Sequence, residues 1–197
     1  MTPVEPLGGR TLTGRFIALE PLQTRHFGGL VDAGHDPSIW TYMPHDISTG
    51  VGAFLKWLVD ENEAGRMVSF AVRRLADSKL VGSSSYLSIV PEHARVEIGA
   101  TWYEPPAQAT AVNPEAKYLL FGHAFAAHYN RVELKTDAKN ARSRAAMRKM
   151  GATEEGTLRG HMWMPQGYWR DSVFFSVVAS EWPAVKAKFE ARLAAFA

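Results

Sequence analysis

The sequence predicts an α/β (α+β) fold, in which helices flank one central, twisted, mixed and mostly antiparallel sheet of about seven strands. Segments with strand and helix periodicity follow one another along the 197 residues in the order β-α-α-β-β-β-α-β-α-β-β-α. Only the strand–helix–strand unit at residues 95–136 has the form of a crossover between parallel strands, so the other neighbouring strands should pair antiparallel. We expect residues 1–197 to form a single domain, since this length suits one hydrophobic core.

The first half of the chain is expected to supply four strands and two helices. Leu12 to Leu19 has the composition of a strand, and the apolar spacing that follows predicts helices over about Thr24 to Ala33 and Gly52 to Ala64. The loop His35 to Gly50 separates these helices. Three predicted strands come next, with a hairpin turn at residues 76–78: Met67 to Arg74, Leu80 to Val90 and Arg95 to Tyr103.

The second half alternates helices and strands. Asn113 and Pro114 are expected to begin a helix, because asparagine is a good N-cap and proline suits the first helical position. Another helix, Asn140 to Met150, should be capped by Asn140 and ended by Gly151. The remaining predicted elements are the strands Arg131 to Thr136, about Thr157 to Trp163 and Trp169 to Val178, and a terminal helix from Glu181.

The composition is ordinary for a globular protein, with 46% apolar residues, 21% charged residues and a net charge of +2. The basic residues are dispersed, so we expect neither a nucleic-acid nor a membrane partner. No apolar run approaches the ~20 residues of a membrane span, and the N-terminus lacks the features of a signal peptide. The chain has no cysteine, which excludes disulfides and a cysteine nucleophile. These features indicate a cytoplasmic enzyme or binding module.

The histidines do not indicate a metal site. His123 and His128 lie five positions apart, which does not place them on one face of a helix, and no histidine–carboxylate cluster is present in the sequence. We therefore expect no bound metal. His123 falls on the apolar face of its helix and is expected to be a core histidine.

The segment from Glu97 to Ala116 predicts an anion site, because it combines a strand, a short turn and the start of a helix. The first N–H groups of a helix lack partners within the helix, and the helix dipole is positive at this end. Such a site suits phosphate or pyrophosphate. The alternative is an ordinary helix N-terminus that binds only water.

Three stretches of the sequence resemble motifs of a known family. They are Glu97-Ile-Gly followed by Trp102 and Gln108-Ala-Thr-Ala-Val-Asn113; Asp137-Ala-Lys-Asn140-Ala-Arg-Ser143; and Lys149-Met-Gly-Ala-Thr-Glu-Glu-Gly-Thr-Leu-Arg159. They are similar to the pyrophosphate loop, the Asn-x-x-Ser motif and the Lys-x-Gly-Phe-x-x-Glu-Gly-x-x-Arg motif of the GNAT N-acetyltransferases. From Leu12 to about Lys186 the chain resembles this family, and most of all its branch of ribosomal-protein N-terminal acetyltransferases.

This resemblance implies that acetyl-CoA is the co-substrate. It implies that backbone N–H groups of one loop bind the pyrophosphate, the loop residues being Gln108, Ala109, Thr110, Ala111, Val112 and Asn113. It places the pantetheine arm where two strands separate, near Gly99, Ala100, Thr101, Asn140 and Ser143. Ala109 and Ala111 stand where glycine is usual in the family, and alanine is compatible with the site if its φ stays negative.

The resemblance also implies roles at the reacting groups. Glu97 is the expected general base, and if Ile98 faces the core, Glu97 faces the other side of the sheet, where aromatic shielding would raise its pKa. Ser143 is expected to protonate the leaving thiolate or to contact the cofactor. Trp40 and Tyr42 should border the acceptor pocket, opposite a wall of Trp163, Tyr168 and Trp169. Alternatively, Glu97 is a surface glutamate, Ser143 is an ordinary helical serine, and the aromatic residues close the ends of the core.

The expected function is therefore acetyl-CoA-dependent N-acetyl transfer to a primary amine, either a protein N-terminus or a small amine, by direct attack. The absence of cysteine removes one route through a covalent enzyme intermediate. The alternative function is a non-catalytic GNAT-fold module that binds acyl-CoA as a sensor or interaction domain. The sequence leaves the acceptor open, and either a monomer or a homodimer is compatible with it.

Overall fold

A computed structural model of the chain describes residues 2–47 and 49–196. Its eight strands are β1 (Leu12–Thr13), β2 (Ile17–Pro21), β3 (Val68–Arg74), β4 (Leu80–Val90), β5 (Arg95–Tyr103), β6 (Arg131–Asp137), β7 (Thr153–Met164) and β8 (Tyr168–Val178). Its five α-helices are α1 (Phe27–Ala33), α2 (Val51–Glu63), α3 (Val112–Ala126), α4 (Ala141–Met150) and α5 (Trp182–Ala194). No helix within the described ranges is both long and apolar enough to cross a membrane.

The strands form one sheet in the order β1-β2-β3-β4-β5-β6-β8-β7. Only β5 and β6 pair in parallel, through the crossover helix α3, and every other neighbouring pair is antiparallel. The predicted fold class, element order and single parallel pair are confirmed. The sheet has one strand more than the seven expected.

The extra strand arises because the predicted strand from Leu12 to Leu19 is broken by a turn at Gly14–Phe16. The buried carboxylate of Glu115, on α3, accepts hydrogen bonds from the backbone N–H groups of Arg15, Phe16 and Ile17 at 2.7, 2.7 and 2.8 Å. A Cβ atom at Gly14 would lie 2.4 Å from the carboxyl carbon of Glu115, so glycine is required at this close approach. A contact from a distant helix therefore decides this local structure.

Helices cover both faces of the sheet. The larger core lies between the sheet and the helices α3, α4 and α5, and it includes Val96, Ile98, Leu120, Phe175 and Phe189. A smaller core on the opposite face packs α1 and α2 against side chains of β3 and β5. Because side chains alternate along a strand, residues next to those of the larger core point toward the α1–α2 face.

The helix ends agree in part with the prediction. Asn140 caps α4, its side-chain oxygen accepting from the N–H of Ser143 at 3.0 Å, and Gly151 ends the helix with φ +97°. The predicted start of α3 was wrong by two residues. Ala111 is its N-cap, and Asn113 lies within the first turn. The hydroxyl of Thr110 accepts from the N–H of Val112 at 3.3 Å, which allows the helix to begin earlier.

Candidate functional site

The sheet is open between its two parallel strands. β5 and β6 pair only from Arg95–Glu97 to Arg131–Glu133, although β5 continues to Tyr103 and β6 to Asp137. Beyond Glu97 each strand keeps its antiparallel neighbour on the outer side, so the facing edges are unpaired. Glu97 therefore lies at the closed end of a V-shaped gap whose sides are strand backbone.

A β-bulge shapes the β5 side of this gap. Ser83 pairs with Trp102 and Ser85 with Gly99, so Ala100 and Thr101 together face a single residue of β4. Ala100 has φ +46°, a left-handed conformation that is unusual for alanine. The predicted residues Gly99, Ala100 and Thr101 thus lie together along the open edge of β5.

Beneath this bulge lies a buried lysine that the sequence reasoning missed. Lys117, on α3, is 5% exposed and donates to the hydroxyl oxygen of Thr101 at 2.8 Å. The hydroxyls of Thr101 and Ser84 are hydrogen-bonded at 2.7 Å. Burial lowers the pKa of Lys117 to about 7, and the charge of Glu97 acts in the opposite direction.

The loop before α3 presents a row of unpaired donors. Within the described part of the chain, the N–H groups of Ala109, Thr110, Ala111 and Asn113 have no protein acceptor. Ala109 has φ +60°, so the condition of a negative φ is not met at this residue, whereas Ala111 meets it with φ −64°. Together with the dipole of the 15-residue helix α3, these donors can hold an anion.

Side chains hold this loop in place and connect it to α4. The amide of Gln108 donates to the carbonyl oxygen of Tyr103 at 2.9 Å and accepts from the guanidinium of Arg142. The hydroxyl of Thr110 donates to the carbonyl oxygen of Ala107 at 2.7 Å. Since Arg142 lies between Asn140 and Ser143 in the sequence, the Gln108–Arg142 contact brings the predicted loop and the predicted Asn140/Ser143 segment together.

Glu97 lies on the face of the sheet opposite Ile98, as predicted. Its side chain is buried, with 3% of the residue exposed, and its carboxylate accepts from the ammonium group of Lys135 at 2.7 Å. Lys135 lies on β6, just beyond the last pair of the parallel ladder. This partner could not be predicted from the sequence, because the pairing of β5 with β6 decides it.

Further polar side chains share this face, because those on β5, β6 and β8 alternate with residues of the larger core and His161 of β7 contacts Ser172 of β8. We call them the sheet-face cluster: Glu97, Lys135, Asp137, His161, Tyr168, Arg170 and Ser172. The carboxylate of Asp137 accepts from the hydroxyl of Tyr168 at 2.6 Å and from the N–H of Lys139 at 2.7 Å. Burial, together with Asp137, raises the pKa of Tyr168 to about 12, so its phenol stays protonated. A nitrogen of His161 lies 2.9 Å from the hydroxyl of Ser172.

The two predicted acceptor residues differ in their surroundings. Trp40 is 3% exposed and packs against Phe54 and Trp102, and its ring N–H donates to the carbonyl oxygen of Gly34 at 2.9 Å. Tyr42 is half-buried and lies close enough to Tyr168 to affect its pKa. Tyr42 therefore lies near Tyr168 of the sheet-face cluster, and Trp40 supports the loop from within the smaller core.

The remaining candidates also have defined positions. Trp163 and Trp169 are exposed, at 57% and 64%, and their rings contact each other. His123 is buried, as predicted, and accepts from the guanidinium of Arg10 at 3.3 Å. Over residues 2–47 and 49–196, no three side chains of histidine, cysteine, aspartate or glutamate are grouped as a metal site would require.

Comparison with protein families identifies the domain to which this geometry belongs. A family model described as an acetyltransferase (GNAT) domain matches residues 17–153. A comparison with curated proteins found no match.

Solved structures show the same similarity. A T. thermophilus protein described as an acetyltransferase is 36% identical over 94% of this chain and 97% of its own, with a TM-score of 0.83. A GCN5-related N-acetyltransferase from Brucella melitensis is 29% identical over 97% of this chain and 89% of its own, with a TM-score of 0.88. RimJ of Mycobacterium smegmatis, solved in complex with CoA-disulfide, is 23% identical over 93% and 91% of the two chains, and at a TM-score of 0.75 it shares the fold.

Proposed function

This chain belongs to the GNAT acetyltransferase family, and we propose that it transfers the acetyl group of acetyl-CoA to a primary amine by direct attack. The observation that carries the proposal is the row of unpaired N–H groups at Ala109, Thr110, Ala111 and Asn113, next to the gap between β5 and β6. Unpaired donors at a helix N-terminus suit a pyrophosphate, and the exposed edge of a strand suits the amide groups of a pantetheine arm.

The cofactor contacts follow from this arrangement. The loop N–H groups bind the pyrophosphate, and the edge of β5 at Gly99, Ala100 and Thr101 binds the pantetheine. Asn140 and Ser143 border the same site from α4, since Arg142 of that helix contacts Gln108 of the loop. Acetyl-CoA supplies an activated thioester, and the protein holds it beside the amine.

Glu97 is the proposed general base. It lies at the closed end of the gap, on the face that also carries the sheet-face cluster, and the hydrogen bond from Lys135 orients its carboxylate. The amine loses its proton to Glu97, directly or through water, as it attacks the thioester carbonyl. Ser143 is the proposed acid for the departing thiolate. The acceptor itself is a small amine or a protein N-terminus.

Acetyl-CoA binding and turnover test the proposal in sequence. Calorimetry measures the affinity for acetyl-CoA, and release of free CoA thiol in the presence of an amine panel measures turnover. The chain has no cysteine, so a thiol reagent reports CoA alone. Failure to bind acetyl-CoA would exclude the proposed acetyltransferase activity. Binding without turnover of any amine would favour the acyl-CoA-binding sensor.

Two variants of Thr110 separate the contribution of its backbone N–H from that of its hydroxyl. Thr110→Pro removes a donor and should weaken acetyl-CoA binding about tenfold or more, since hydrogen bonds to charged groups contribute roughly 1.5–3 kcal/mol each. Thr110→Ala is the matched control, because it loses the hydroxyl bond to Ala107 but keeps the N–H. Equal affinities for the two variants would place the pyrophosphate elsewhere.

Glu97→Gln tests the base. Turnover should fall by about 10²-fold or more while the affinity for acetyl-CoA is retained. An unchanged pH–rate profile would contradict the role of Glu97.

A further inference from the structure

Arg170 is a buried guanidinium group that has no hydrogen-bond partner among the described residues. It is 4% exposed, it lies on β8, and its Nε atom is both buried and unsatisfied. Guanidinium carries five N–H donors in a fixed planar arrangement and stays protonated in proteins. A buried charge without a partner is costly, and buried polar groups in native structures are nearly always paired.

Arg170 belongs to the same face as the proposed base. Ser172, two residues along β8, pairs directly with Asp137 of β6, so Arg170 lies just beyond the end of β6. Burial lowers the pKa of Arg170, and the charges of Asp137 and Glu97 oppose that shift. Arg170 therefore lies within electrostatic range of Glu97.

The other ionisable side chains of the sheet-face cluster already have partners. Lys135 is paired with Glu97, Tyr168 donates to Asp137, and His161 is bonded to Ser172. Among the described residues, Arg170 is the ionisable member of the cluster whose side chain has no hydrogen-bond partner. A guanidinium group can donate two parallel hydrogen bonds to a carboxylate that enters this face.

We propose that Arg170 binds a carboxylate of the acceptor, so that the enzyme acetylates primary amines that also carry a carboxylate group, such as free amino acids. This inference rests on the proposed acetyl transfer, because it assigns the acceptor of that same site. Guanidinium and carboxylate match in a bidentate geometry. Binding through Arg170 would hold the amine of the same molecule on the face where Glu97 receives its proton.

The charge of the cluster favours a carboxylate over a phosphate. The formal charges of Lys135 and Arg170 balance those of Glu97 and Asp137, and the ammonium group of Lys139 lies 3.9 Å from the centre of the Tyr168 ring. A carboxylate neutralises the one net positive charge of this set, whereas a phosphate dianion leaves it negative beside two existing carboxylates. A neutral amide would leave the guanidinium charge unpaired.

Matched pairs of acceptors test the proposal directly. Amino acids and their primary amides differ only at the carboxylate, and CoA release gives kcat/KM for each. The amide's amine is the weaker base and is less protonated near neutral pH, so amine protonation cannot cause a preference for the acid. We expect a preference for the amino acid of about tenfold or more, since a site built to bond one group discriminates against analogues that lack it.

Variants of Arg170 test whether this side chain causes the preference for amino acids over their amides. Arg170→Gln should lower kcat/KM for amino acids by about 10–100-fold and that for their amides by less than about threefold. Arg170→Lys, which keeps the charge without the planar fork, should be intermediate. Arg15→Gln is the charge-matched control, because Arg15 is exposed on the turn between β1 and β2, far from β8 in the sheet order. Acetyl-CoA affinity and circular dichroism verify that each variant folds.

Binding of acetylated products tests the proposal even if the true acceptor is not in the amine panel. Calorimetry with CoA present compares N-acetyl-amino acids with N-acetyl-amino-acid amides, and only the former should bind, in a manner that requires Arg170. Equal binding or turnover of the two members of each pair, a parallel loss of both in Arg170→Gln, or no binding of either would overturn the proposal. Loss of acetyl-CoA binding by the wild-type protein would instead refute the proposed function itself.

Discussion

Substitution of Ala109 by glycine should stabilise the protein. Ala109 is exposed and has φ +60°, a conformation that costs an L-residue about 1–2 kcal/mol and glycine almost nothing. Glycine also has more freedom in the unfolded chain, which offsets about 0.5–1 kcal/mol of this gain. The difference predicts a rise in the free energy of unfolding of about 0.5–1 kcal/mol for Ala109→Gly.

Ala111→Gly is the matched control, two positions along the same loop. Ala111 has φ −64° and is 7% exposed, so glycine relieves no strain there and removes a buried methyl group. We expect a loss of about 1–2 kcal/mol. Urea unfolding, followed by tryptophan fluorescence, measures both changes. Thermal midpoints should move in opposite directions by about 2–4 °C per kcal/mol.

The two variants together can refute the reasoning. If Ala109→Gly destabilises the protein as much as Ala111→Gly does, the left-handed conformation of Ala109 is not strained. The affinity for acetyl-CoA should change by less than about threefold, because the same strain is present with and without ligand. A tenfold gain in affinity would show instead that the methyl group of Ala109 obstructs the cofactor.

Three further predictions concern stability. Glu115→Gln should cost about 1–3 kcal/mol in urea unfolding, because the carboxylate accepts three backbone N–H groups, and an unchanged midpoint would contradict its anchoring role. Asn140→Ala should cost about 1 kcal/mol through loss of the α4 cap, with Asn140→Asp as the control that keeps it. Lys117 has a pKa of about 7 in the folded protein, below its unfolded value, so the unfolded state holds more protons above pH 7 and stability should rise with pH there. The rise is at most about 1.4 kcal/mol per pH unit, and a Lys117→Met variant with the same pH dependence would exclude Lys117 as its source.

Elements whose ends are marked by residues within the segment itself were predicted from the sequence. Asn140 and Gly151 mark the two ends of α4 within the segment itself, and the structure confirms both. The break at Gly14–Phe16 could not be predicted in this way, because it depends on Glu115, about a hundred positions away. The start of β7 at Thr153 was also missed, since all but two of its residues are exposed and its register shifts remove any alternation.

In the candidate site, too, features that depend on a single strand were predicted and those that depend on strand pairing were not. Alternation with Ile98 was enough to place Glu97 on the correct face, because this depends on one strand alone. The pairing of Glu97 with Lys135 depends on the register between β5 and β6, which no local pattern specifies. Arg170 gave no signal at all, since an arginine followed by aspartate and serine is typical of an exposed strand. Only the assembled sheet shows that it is buried and unpaired.

The open edge of β5 and the loop that follows it each contain an alanine with positive φ, Ala100 at +46° and Ala109 at +60°. At about 1–2 kcal/mol each, they cost a sizeable part of the 5–15 kcal/mol by which a domain is typically stable. Such conformations persist only where the surrounding structure enforces them, and they are frequent at binding sites. Here the enforcing contacts are the bulge against β4, with Thr101 held by Lys117, and Gln108 held by Arg142. The two strained alanines therefore lie on the same segment as the unpaired edge of β5 and the unpaired N–H groups of the loop, as expected if the fold keeps this segment ready for a ligand.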